Sequence, residues 1–134
     1  MADLTLGFDE FEKDIQKMIK GVSDPQIIED VMEEFARPIV EEARRRAPVD
    51  DDTVKSGTLK RGIVTKYNRK SPYEITIGWT NKAFYGRFLE NGYHHVGSRK
   101  FIKKPHIRPA YNAKIDEAKD NAINLLLLLC DRKF

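Results

Sequence analysis

Hydrophobic positions change their spacing along this chain, and each change marks an element. Phe8, Phe11, Ile15, Met18 and Ile19 recur at steps of three and four, with Asp9, Glu10, Glu12 and Asp14 early and Lys17 and Lys20 late. That spacing and charge order predict an amphipathic helix ended by Gly21. Ser23 or Asp24 before Pro25 reads as the N-cap of a second helix with proline in its first turn. Ile28, Val31, Met32, Phe35, Ile39 and Ala43 line one face of that helix, and Arg44, Arg45 and Arg46 suit its C-terminal end. Pro38 falls inside the pattern and lacks the N–H that would bond Glu34, so a kink or break is expected there. Ala47-Pro48 closes the element, because the residue before proline avoids helical geometry.

Asp50 to Gly57 is polar and reads as a loop, and the period then changes. Leu59, Ile63, Thr65 and Tyr67 roughly alternate, Asn68 to Pro72 supply turn chemistry, and Tyr73, Ile75 and Ile77 alternate with polar residues. This predicts a β-hairpin with a loop of about five residues, its second strand ending at Trp79. After a turn at Asn81 and Lys82, Phe84 to Leu89 reads as a third strand or a short aromatic helix. Asn91 to Lys104, rich in Gly, His and Lys, forms a long loop, and Pro109 opens a last helix with Ala110, Ile115, Ala118, Ala122 and Leu125 or Leu126 facing inward. The leucine run Leu125–Leu129 sweeps every face of that helix. Part of it must therefore be covered by Phe8 and Phe11 or by another subunit. Cys130 reads as a small apolar filler.

Composition narrows the class. The 134 residues fit one domain spanning 1–134, with 40% hydrophobic residues, as in an ordinary globular chain, and 34% charged residues, more than such a chain needs. One cysteine excludes a disulfide framework and any zinc site built on two or more cysteines. The longest apolar run, Leu125 to Cys130, is far short of a membrane span, and no secretory segment is readable before Gly7. A reducing cytoplasm is the expected place of synthesis. The net charge of +3 conceals a split. Residues 1–52 hold 7 Lys/Arg against 15 Asp/Glu, a net of −8, and residues 53–134 hold 17 against 6, a net of +11. An acidic front half and a basic back half point to charged partners.

Candidate chemistry is thin. His94 and His95, with Glu90 before and His106 after, invite a metal or catalytic reading. Adjacent strand residues point to opposite faces, however, and no zinc-protease motif, nucleophile elbow or phosphate loop accompanies them. No metal or other cofactor is expected. Arg99, Lys100, Lys103 and Lys104 bracket Phe101-Ile102. Three readings of this loop stay open: a grip on phosphates with a stacking aromatic, a solvated loop kept soluble by charge, or a docking arm whose apolar pair enters a neighbour's groove. The acidic front half of an identical subunit would serve as the last reading's partner. Glu90 and Arg108 form the expected clasp that fixes the long loop.

Three ordered segments resemble one family. Ala47-Pro48-Val49-Asp50 followed by Ser56-Gly57-Thr58-Leu59-Lys60-Arg61-Gly62-Ile63 is similar to its "APVDTG-x-L-x-x-S-I" junction, with Asp51 to Lys55 inserted. Phe84-Tyr85-Gly86-Arg87-Phe88-Leu89-Glu90-Asn91-Gly92 resembles "Y-A-x-F-x-E-x-G-T", with Tyr93 in the last place. Lys104-Pro105-His106-Ile107-Arg108-Pro109-Ala110 resembles "hP-F-L-R-P-A". The family is that of the tail-completion, or head–tail joining, neck proteins of long-tailed bacteriophages and prophages, and the likeness spans about residues 30–120.

The resemblance implies an α+β fold: a long kinked N-terminal helical region and a C-terminal helix packed on a small antiparallel sheet of three to four strands, with a long basic loop. It implies a structural virion protein made in the host cytoplasm, without enzymatic activity or membrane contact. Its partners would be its own copies in a ring, taken as a hexamer, and adjoining neck or tail proteins, with DNA passing in the channel. Two other classes remain. One is a nucleic-acid-binding module using Lys60, Arg61, Lys66, Arg69, Lys70 and the Arg99–Lys104 loop, and the other is a metal-dependent nuclease built on Glu90, His94 and His95.

Overall fold

Alternating apolar residues build a three-stranded antiparallel sheet in the order β1-β3-β2, from β1 (Leu4–Gly7), β2 (Ile63–Lys66) and β3 (Glu74–Trp79). This is a computed structural model, which describes residues 4–48, 58–94 and 97–133. The predicted loop Asp50–Gly57 and His95 lie outside the described residues. β3 sits in the centre, pairing Leu4 with Ile77 and Leu6 with Ile75 on one side and Ile63 with Trp79 on the other. All six of these residues are buried on the face that carries the helices, as period-two alternation demands. β1 precedes the first helical pattern and is too short, at four residues, to show its period in the sequence.

One long helix packs on that face, and a second packs along the first. In α2 (Pro25–Arg46), Asp24 accepts a hydrogen bond from the Gln26 amide at 2.9 Å and Pro25 occupies the first turn, as read from the sequence. Pro38 does not break the helix, which runs on to Arg46, and Pro38 is itself buried, as are Phe35, Ala36, Ile39 and Val40. The burial of that apolar stripe offsets the one backbone bond that proline forgoes. α5 (Ile107–Lys133) packs along α2. Its Ala110, Ala118 and Ala122 are buried at steps of four or eight, so small side chains let the two backbones approach, and Leu126 closes the stripe. Within the leucine run Leu126 is buried, while Leu127 and Leu128 are exposed.

The other elements are short. A 3₁₀ turn at Phe8–Glu10 and a helix α1 (Lys13–Gly21) take the place of the one predicted helix from Phe8. Gln16 explains the break: its side chain donates to the carbonyls of Phe8 and Phe11, satisfying a turn that the helix does not include. Phe11 nevertheless reaches the core, 4.6 Å from Phe35 between ring centroids. Leu59 lies not in a strand but in a one-turn helix, α3 (Thr58–Arg61), so β2 starts only at Ile63. Of the two readings of the aromatic segment the helix holds, as α4 (Gly86–Asn91), and the long loop carries a two-stranded ribbon of β4 (Tyr93–His94) and β5 (Phe101–Ile102). The α+β class, the C-terminal helix and the small antiparallel sheet agree with the expectation.

Candidate functional site

The region from α4 to the first turn of α5 holds most of the residues singled out in the sequence. A helix beginning at Ile107 leaves its first amide groups without intrahelical partners. Pro109 has no amide hydrogen, and Ala110 already bonds the His106 carbonyl. One carboxylate satisfies the rest. Glu90, buried at 8% exposure, accepts from the amides of His106 (2.9 Å) and Ile107 (2.8 Å) through Oε1 and of Arg108 (3.1 Å) through Oε2. A negative charge also suits the positive end of the helix dipole.

The expected clasp is thereby corrected. Glu90 reaches Arg108 through its backbone amide, whereas the guanidinium lies over the Tyr111 ring at 5.9 Å. A buried carboxylate gains more from three converging amides than from an arginine that can stay in water. Burial also raises the Tyr111 hydroxyl above its ordinary titration range.

Behind Glu90 lies a contact that the sequence reading did not anticipate. His106 is fully buried, and Trp79 Nε1 donates to its Nε2 at 3.0 Å. The ring proton therefore sits on Nδ1, which faces the Lys104 carbonyl at 3.2 Å and Glu90 Oε1 at 3.3 Å. His106 is thus a structural crosspiece between β3, α4 and α5, not a partner of His94, which is exposed on β4 against the Phe101 ring. Among the described residues no cluster of three metal-ligating side chains forms. A clue was present in the sequence: a tryptophan closing an apolar strand needs a buried acceptor for its N–H. Gly86 is required beside it, since a Cβ there would fall 2.2 Å from the indole nitrogen.

The basic loop contrasts with this junction. Gly92, at φ +90°, turns the chain out of α4, and a Cβ there would lie 2.3 Å from the Phe101 ring. Phe101 packs on that turn and on His94, yet 58% of it remains exposed, and Phe84 and Phe88 are exposed at 63% and 54%. Arg99, Lys100, Lys103 and Lys104 are all exposed, and among the described residues no ion pair holds their side chains.

The proposed nucleic-acid residues do not form one patch. Arg69 is drawn back onto α2, donating to Glu29 at 3.1 Å and Gln26 at 3.0 Å, while Lys66 and Lys70 are exposed near the hairpin turn. Lys60 and Arg61 instead join Arg44 and Arg45 around a shallow hollow of about 500 Å³ that also holds Glu41.

Across α2 and β2 runs an open groove of about 580 Å³ lined by Asp30, Glu33, Glu34, Glu41, Val40 and Val64. Arg37 bridges two of its acids, Glu34 at 2.7 Å and Glu41 at 3.0 Å, and is held charged far above any accessible pH. Arg44 turns onto the Ile63 carbonyl at 2.8 Å. Further along α2, Glu42 takes both Arg45 and Arg46, which hold its carboxyl down at about 2.

A family model described as "Bacteriophage HK97-gp10, putative tail-component" matches residues 9–92, well over half the chain. The chain belongs to the HK97-gp10-like family. The match runs from the first 3₁₀ turn through α1, α2 and the β2–β3 hairpin to Gly92, so the family span includes Trp79, Gly86 and Glu90. The basic loop and α5 lie beyond it. Neither curated proteins nor solved structures gave a match. Membership in a phage tail-component family agrees with the likeness read from the motifs. Among the described residues of this family member no helix is long and apolar enough to cross a membrane.

Proposed function

We propose that this protein is a structural part of the virion whose copies close into a ring, as a hexamer, at the head–tail junction, completing the tail or joining it to the head. The observation that carries this reading is the match to a phage tail-component family over residues 9–92. The surface supports it. One part of the subunit offers exposed aromatics among cations and another offers an acidic groove, so unlike faces can meet head to tail, and such contacts close into rings when the rotation permits. The chain acts as a single domain of 134 residues, located in the neck or tail, and the reading assigns it no catalytic step and no cofactor. Electron microscopy of lysates from a deletion of this protein should show filled heads and tails apart. Joined, normal virions would overturn it.

The cationic hollow of Arg44, Arg45, Lys60 and Arg61 favours a second reading, contact with DNA. It requires duplex affinity that falls with salt, with a slope near roughly −0.9 per phosphate contacted. Absence of binding at low salt removes it.

A further inference from the structure

We propose that the β4–β5 tip of one copy seats in the α2–β2 groove of the next copy. This inference rests on the ring reading and names the surfaces that would build the ring. The tip presents Phe101 and the partly exposed Ile102 between Arg99, Lys100, Lys103 and Lys104, four formal positive charges without a carboxylate among them. The groove lining carries four carboxylates against Arg37 and Arg44, a formal −2. Arg37 is held by Glu34 and Glu41, and Arg44 by the Ile63 carbonyl, so neither stands over Asp30 and Glu33 at the far end. Both of these acids are exposed, and among the described residues Gln26 and Thr65 are their side-chain hydrogen-bond partners. Opposite charge steers such faces together and fixes their register.

A second observation concerns the groove wall. β2 is an edge strand of its sheet, and among the described residues no strand pairs with its outer side. The Thr80 amide donates to the Gly62 carbonyl at 2.8 Å, which sets the alternation: the Gly62 carbonyl and the backbone groups of Val64 turn toward β3, and Ile63 and Thr65 turn theirs outward. The Ile63 carbonyl is taken by Arg44, leaving Thr65 to face the groove. An extended segment such as Phe101–Ile102 is the shape that such an edge receives, its side chains resting on Val40 and Val64. The occupant is a second copy of this chain, because the exposed cationic tip and the acidic groove are complementary surfaces that every copy carries.

A photoreactive residue in place of Lys100 tests the seating, in concentrated protein mixed from isotope-labelled and unlabelled copies and in assembled particles. Cross-links joining position 100 to peptides of α2 or β2 in another copy are expected. Links between copies that reach any other peptide overturn the groove and leave the ring standing, as do links from the tip only to DNA or to a different tail protein. Absence of any link from position 100 in either sample overturns the groove as well. A charge exchange gives the second arm. Lys103→Glu with Lys104→Glu, or Asp30→Lys with Glu33→Lys, should each weaken self-association about tenfold or more, and the four together should restore most of it. Failure of the combined variant to recover overturns the pairing.

Discussion

Two regions only a few residues apart use polar chemistry in opposite ways. At the root of the loop, Glu90, His106 and Trp79 are buried and each polar atom meets another inside the chain. At the tip, charged and aromatic side chains of similar size stand in water. The root is a device for stability, because an unpaired buried amide is expensive. The tip contributes little to folding and is free to serve contact. A substitution at the root should therefore change folding, and one at the tip only assembly.

Glu90→Ala strands three amides at a buried helix end, and we expect a loss of about 3–5 kcal/mol in urea denaturation. A loss within about 0.5 kcal/mol would show the cap to be dispensable. Gly86→Ala forces a methyl against the Trp79 indole and should lower stability by about 1–3 kcal/mol, read from the same curve.

Acid sharpens the contrast along α2. The Glu42 carboxyl sits at about 2 in the folded chain against an ordinary 4.5, so its contribution is complete above about 4.5 and is lost as pH falls toward 2. Glu42→Gln should flatten that part of a stability–pH profile. The smallest effect on folding belongs to the tip, where Phe101→Ser with Lys103→Glu should move stability by no more than about 0.5 kcal/mol. The same variant should lose self-association in sedimentation. A tip variant that unfolds the chain would erase the distinction between root and tip.

How much of this was legible in the sequence follows from which forces are local. The cap at Asp24, the face of α2 and the β2–β3 hairpin rest on spacing and neighbours in the chain, and the sequence displays them. The sequence singles out Glu90 but not its partner atoms, because a side chain bonding amides 16 to 18 residues away leaves no periodic trace. The Trp79–His106 bond spans 27 residues and was missed for the same reason. β1 was missed because its pairing lies with Glu74 to Ile77, some 70 residues on, and four residues are too few to advertise a period. At Pro38 the local rule allows a kink or a break, and the break is excluded, because the tertiary burial of α2 carries the helix on to Arg46.

One consequence of the Glu90 cap reaches beyond stability. The chain leaves α4 and returns to α5 through the same carboxylate, so the segment between Glu90 and His106 begins and ends at one pinned point. An excursion closed in this way is anchored at its base. Lengthening it costs little, about 0.6 kcal/mol for each doubling of a flexible loop. Its tip residues can be exchanged without disturbing the helices beneath. Such a segment works as an interchangeable fitting, by which a common tail scaffold could be matched to different neighbours.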